Sequence, residues 1–281
     1  MDDVDPQEAA PQGAEFKAEL DRLDELVRTS AGAVFASHVA TIANAFDEFS
    51  DSYQQLHSLL VAAETDEDTM FMLMSNVPPL TEKRAFERRM DRAIKSFCGD
   101  LVTVVDVTRK AMRKQPEEFQ GVWDDINRTG PRAVPGALIL RELRNYLDHE
   151  NQAPWWFTGR VDSNGARAEV LLSPKPLLRS TFFTAPARAY LEANPDGVRL
   201  LTIIDSYYPA MAEAWSWLLE KYQDVNAAGI QAMNDLIGQR NLHLTDGVYS
   251  NAADFHAAVS KGMETLREEQ LQPRVTPSEG V

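Results

Sequence analysis

A single cysteine, Cys98, stands in 281 residues. It excludes an intramolecular disulfide and any cysteine-built zinc site. No run of about 18 uninterrupted apolar residues occurs, so no transmembrane helix is expected. The most apolar early stretch, Ala31 to Phe46, is broken by Ser37, His38, Thr41 and Asn44. Residues Met1 to Gly13 are acidic and proline-rich and lack the basic start and apolar core of a signal peptide, which makes the cytoplasm the expected location, without membrane contact. Of the five histidines (His38, His57, His149, His243 and His256), none follows a glutamate by three residues and no two are four apart. That removes both the H-E-x-x-H zinc site and the Glu-x-x-His pairs of a di-metal bundle. P-loop, G-x-G-x-x-G and G-x-S-x-G motifs are also missing. No metal and no cofactor are expected.

Basic residues are scarce as well: 28 Lys and Arg face 43 Asp and Glu, a net charge of −15. Taken alone, this argues against nucleic-acid binding. The distribution is uneven, however. Residues 1–82 hold 3 basic and 17 acidic side chains, residues 83–144 hold 14 and 9, and residues 145–281 hold 11 and 17. The one net-basic segment leads into the hexapeptide Arg144-Asn145-Tyr146-Leu147-Asp148-His149.

What the chain has in quantity is helical periodicity. Apolar residues make up 44% of it, enough for a sizeable core. Phe16, Leu20, Leu23 and Val27 recur at spacings of 4, 3 and 4 within a helical stretch from Glu15 to about Glu64, where Gly32 marks a break. Asp66 suits the cap of a short helix around Met70 to Met74, which Pro78-Pro79 ends. A long helix from Thr81, acting as its capping residue, to about Lys114 is expected next. A shorter one opens at Pro116 and closes at Gly130-Pro131, and another covers 135–150. Trp155 to Val161 and Ala168 to Leu172 read as two strands around the turn signal Ser163-Asn164-Gly165. Helices resume after Pro186. Leu200, Ile204, Tyr207, Met211, Trp215, Leu218 and Tyr222 make one stripe, with Pro209 expected to kink or break its helix, and a last helix covers about Asn251 to Leu271. The expected organisation is a disordered acidic N-terminus at 1–13, a single helical domain at 14–271 and a disordered tail at 272–281. The fold class is all-α: an up-and-down helical bundle with one inserted β-hairpin at about 155–172.

The helix over 135–150 carries the chemistry. Leu140, Leu143 and Leu147 with Ile139 and Tyr146 form its apolar face, and Arg144, Asp148, Arg141, Asn145, His149 and Glu142 share the polar side. Arg144 and His149 stand about 140° apart around the axis, flanking one polar sector. At Arg144, Asn145 and His149 the chain resembles the HEPN superfamily, small helical bundles common among prokaryotic ribonuclease toxins and defence proteins. The family pattern is Arg, a polar residue that is often Asn, three or more variable residues, and His near the end of a bundle helix. The resemblance implies a HEPN-like bundle, a homodimer in which two motif helices form a composite cleft, and metal-independent endoribonuclease activity. The implied setting is toxin–antitoxin or antiphage defence, with RNA as substrate and an antitoxin or defence protein as partner. Arg144, Asn145 and His149 take the catalytic roles.

The chemistry suits those residues. A histidine with an ordinary pKa of about 6.5 works as acid or base near neutrality, and a guanidinium stabilises charge gathering on phosphorus. Arg88, Arg92, Arg109 and Arg113 are candidates for RNA backbone contacts. Two departures stand against the family pattern. The position two after the His, a modifiable Tyr in some HEPN toxins, is Asn151 here. The chain is also about twice the length of a minimal HEPN toxin. The competing expectation is a non-catalytic helical dimerisation or adaptor module that retains the motif, with Arg144 simply paired to Asp148 one turn on.

Overall fold

The computed structural model describes residues 6–150, 152–162 and 165–245. The expected helix at 251–271, the tail at 272–281, His256, Asn151 and the turn residues Ser163 and Asn164 lie outside them. The expectation of one domain over 14–271 meets a chain that groups into two compact units, Met1–Ser37 with Gln223–Val281, and His38–Tyr222.

Ten α-helices and one small sheet make up the described chain: α1 (Pro6–Thr29), α2 (Ala31–Thr65), α3 (Glu67–Met74), α4 (Thr81–Met112), α5 (Glu117–Thr129), α6 (Ala137–Glu150), β1 (Trp155–Asp162), β2 (Gly165–Leu172), α7 (Pro174–Arg179), α8 (Ala185–Ala193), β3 (Val198–Arg199), α9 (Leu200–Val225) and α10 (Ala227–Leu244). This is the all-α architecture with an inserted hairpin that the periodicities imply. Helix α1 begins inside the segment expected to be disordered.

In the first unit, α1 pairs with α10. Arg240 of α10 bonds Asp24 of α1, and the His243 ring stacks on Phe16 at 4.3 Å while its Nε2 donates to the Phe16 carbonyl at 2.9 Å. Gly32, at the predicted break, permits a close backbone crossing: a Cβ there would sit 2.5 Å from the Gly229 carbonyl oxygen. The helix break itself falls at Ser30, whose Oγ accepts from the Ala33 N–H at 3.1 Å.

The second unit holds a continuous core. Phe49, Leu56 and Leu60 of α2 pack with Met90, Ile94, Phe97 and Leu101 of α4 and Ile139, Leu140 and Leu143 of α6, all within 1% of full burial. Each such side chain contributes about 1.5–3 kcal/mol by leaving water. Asp66 caps α3 as expected, accepting the Thr69 N–H at 2.9 Å. Thr81 does not cap α4. It is the first helical residue, and the cap position, Leu80, makes no side-chain bond. Helix α9 runs through Pro209 without a break, and all of its predicted stripe except the partly exposed Trp215 is buried.

The hairpin pairs Trp155 with Leu172 through Asp162 with Gly165. Strand β3, which the sequence reading does not anticipate, joins β2 at Leu171–Arg199 and Leu172–Val198. Its approach is set by Gly197, whose φ of +122° favours glycine, and a Cβ there would lie 2.6 Å from the Trp156 ring. Trp155 donates from Nε1 to Asp91 of α4 at 2.7 Å. Both tryptophans therefore anchor the hairpin.

Cys98 is fully enclosed in the α4 core, and burial pushes its thiol up to about 12. The thiolate is the reactive form. A thiol reagent at pH 8 is therefore expected to label Cys98 only after denaturant is added. Stoichiometric labelling of the native chain would show that α4 opens readily.

Candidate functional site

Helix α6 presents the motif by burying everything opposite it. Ala137, Ile139, Leu140, Leu143, Tyr146 and Leu147 face the core, while Arg144, Asn145, Asp148 and His149 are exposed. The three predicted catalytic residues thus share one accessible side, in the last two turns of the helix.

Arg144 is engaged locally. Its Nε lies 3.2 Å from an Asp148 carboxylate oxygen, and its Nη1 makes a long 3.5 Å contact to Asn145 Oδ1. Arg144 and Asp148 are both more than 40% exposed, so this i,i+4 pair contributes well under 1 kcal/mol and yields easily to a phosphate. His149 stacks on Phe182 with ring centroids 4.5 Å apart and planes 12° from parallel. Phe182, 33 residues along the chain, carries no motif signal. Only its place in the short connection between α7 and α8 brings it there.

Glu142 corrects the helical-wheel reading. Assigned to the polar side, it is buried, 6% exposed. Its carboxylate accepts the Thr184 N–H at 2.8 Å and the Thr184 Oγ–H at 2.7 Å. Thr184 is the residue before α8, so a carboxylate of the motif helix satisfies the backbone at another helix's start. Replacing Thr184 with Val removes one of the two donors to a buried carboxylate. The expected loss is about 1–3 kcal/mol of stability by chemical denaturation. A variant as stable as wild type would show that water satisfies Glu142.

The predicted RNA contacts divide. Arg88, Arg92, Arg109 and Arg113 fall within an arc of about 100° along α4, but about 37 Å separates the first from the last. Arg92 Nε donates to the Arg88 carbonyl at 3.2 Å, and Arg109 Nη1 to Asp106 at 3.0 Å. Arg113 has no ion-pair or hydrogen-bond partner for its side chain among the described residues, and with Arg109 it lines a cavity that includes none of the three motif residues. A second Arg-Asn pair followed by a His, Arg240-Asn241-Leu242-His243, has the wrong spacing for the motif and packs α10 against α1.

No single described helix is long and apolar enough to cross a membrane. Among the described residues, no three His, Cys, Asp or Glu side chains gather as a metal-binding group. No family model matches the chain, and neither the curated proteins nor the solved structures contain a significant match to it.

Proposed function

We propose that the chain is a metal-independent endoribonuclease of HEPN type, active as a homodimer. The observation that carries this reading is the joint exposure of Arg144, Asn145 and His149 on one side of a helix whose other side is locked in the core. In the proposed reaction the RNA 2′-oxygen forms a bond to the adjacent phosphorus, and the bond from phosphorus to the 5′-oxygen breaks. His149 and its copy in the second subunit serve as base for the 2′-hydroxyl proton and acid for the leaving 5′-oxygen. Arg144 exchanges Asp148 for the phosphoryl oxygens, where charge accumulates. Asn145, beside it, donates to a phosphate oxygen. The products are a 2′,3′-cyclic phosphate and a 5′-hydroxyl. The proposed setting is toxin–antitoxin or antiphage defence.

The test is incubation of the purified chain with mixed tRNA and mRNA in excess EDTA, followed by analysis of fragment ends. Cyclic phosphates from wild type, and none from His149→Ala, support the reading. Intact RNA with a folded wild-type dimer opposes it.

A second reading rests on the Arg144–Asp148 pair, which is what a surface helix with no catalytic role also forms. In that case the chain is an adaptor, α6 is a dimerisation surface, and the RNA stays whole.

A further inference from the structure

A cavity of about 290 Å³ opens in the second unit between α4, α5, the turn at Pro131–Ala133 and α9. Its wall joins three guanidiniums, Arg109, Arg113 and Arg132, to two indoles, Trp123 and Trp215. The one carboxylate of the lining is Asp124. Arg109 is tied to Asp106, but the side chains of Arg113 and Arg132 have no hydrogen-bond or ion-pair partner among the described residues. In a chain of net charge −15, a cavity wall with three cations and one anion is a local reversal. Such a concave, partly apolar site concentrates an anion and binds it through paired donors.

The aromatic part of the wall is equally specific. The Trp215 ring stacks on Phe46 at 4.5 Å, and the Trp123 ring lies near-parallel to Trp217 at 6.2 Å. Each indole is therefore braced by a second aromatic ring while it lines the cavity. Trp215 also holds the one buried side-chain polar atom among the described residues without a hydrogen-bond partner, its Nε1. A buried N–H without an acceptor is a cost that the packing of this indole bears. The volume sits at the small end of ligand pockets, too small for a duplex and of the size of one flat heterocycle with a charged group.

We propose that this cavity binds a single free nucleotide, its base against the indoles and its phosphate held by Arg113 and Arg132. The site shares no residue with the motif on α6, although Arg109 and Arg113 are also among the expected RNA backbone contacts, so its test does not depend on catalysis by that motif.

The test is calorimetric titration of the full chain with the four ribonucleoside 5′-monophosphates. The matching nucleosides, inorganic phosphate and a single-stranded tetranucleotide serve as separate arms. At least one monophosphate is expected to bind about tenfold or more tightly than its nucleoside and than phosphate alone. The double variant Arg113→Ala with Arg132→Ala is expected to weaken it about tenfold again, and neither substituted side chain has a hydrogen-bond or ion-pair partner among the described residues. Trp215→Phe keeps an aromatic face against Phe46 but removes part of the indole surface and its N–H. It is expected to weaken nucleotide binding while leaving the response to inorganic phosphate unchanged, a combination that a purely structural indole would not give. Arg144→Ala and His149→Ala leave the binding unchanged. Absence of heat with all four monophosphates, binding of the tetranucleotide alone, or undiminished binding in the double variant each overturns the proposal.

Discussion

Replacing His149 with alanine is expected to lower RNA cleavage by about 10²- to 10⁴-fold, the usual worth of a positioned acid–base group. The fold should not notice. His149 is exposed, and its ring stacks on the face of Phe182. Thermal melts of wild type and variant should therefore agree closely while cleavage differs by orders of magnitude. Arg144 tests the same reading from the electrostatic side. Arg144→Lys keeps the charge but loses the planar fork that meets two phosphoryl oxygens at once. It should lose nearly as much activity as Arg144→Ala, about 10²–10³-fold. Asp148→Asn separates catalysis from helix pairing, because it frees the guanidinium from its 3.2 Å partner. A catalytic Arg144 then keeps or gains activity, whereas a merely structural pair shows only a small loss of stability. If His149→Ala cleaves as fast as wild type, the ribonuclease reading falls, whatever the behaviour of Arg144.

These variants test a constellation whose residues the sequence made legible and whose surroundings it did not. The periodicity of α6 and the motif spacing are local properties, written within 14 consecutive residues. The same holds for the Asp66 cap, the α9 stripe and the hairpin at β1 and β2, each decided by neighbours two to four positions apart. Glu142 was misplaced because the wheel knows only polarity. A carboxylate belongs on the wet side unless a distant partner takes it in, and Thr184 is 42 residues away. Phe182 and β3 escaped for the same reason. Two residues of strand carry no period, and their pairing with β2 is fixed by Gly197 and by the ring of Trp156. Pro209 shows the converse. A local helix-breaking preference of about 3 kcal/mol yielded to a helix that buries Ile204, Tyr207, Met211 and Leu218 on one side.

The largest stability effect should come from the ion pair that fastens this sheet to the bundle. Glu64, near the end of α2, has a side chain only 2% exposed. One of its oxygens accepts the Val170 N–H of β2 at 3.0 Å, and the Arg199 guanidinium of β3 reaches both through Nε and Nη2. The pair is asymmetric, since the Arg199 side chain is 42% exposed. That asymmetry predicts an order. Arg199→Ala strands a buried carboxylate with a single backbone donor, a loss of about 3–5 kcal/mol. In a chain of this size that lowers the melting temperature by on the order of 10 °C. Glu64→Gln keeps the shape and one acceptor oxygen, and the released guanidinium is already half in water. Its cost should be nearer 1–3 kcal/mol. Removing the exposed partner is thus expected to hurt more than neutralising the buried one, the reverse of what exposure alone suggests. Parallel denaturant titrations of the two variants decide it. Equal losses would mean that the two ends of the pair are equally accessible to water, and that the Val170 bond rather than the ion pair fastens the sheet.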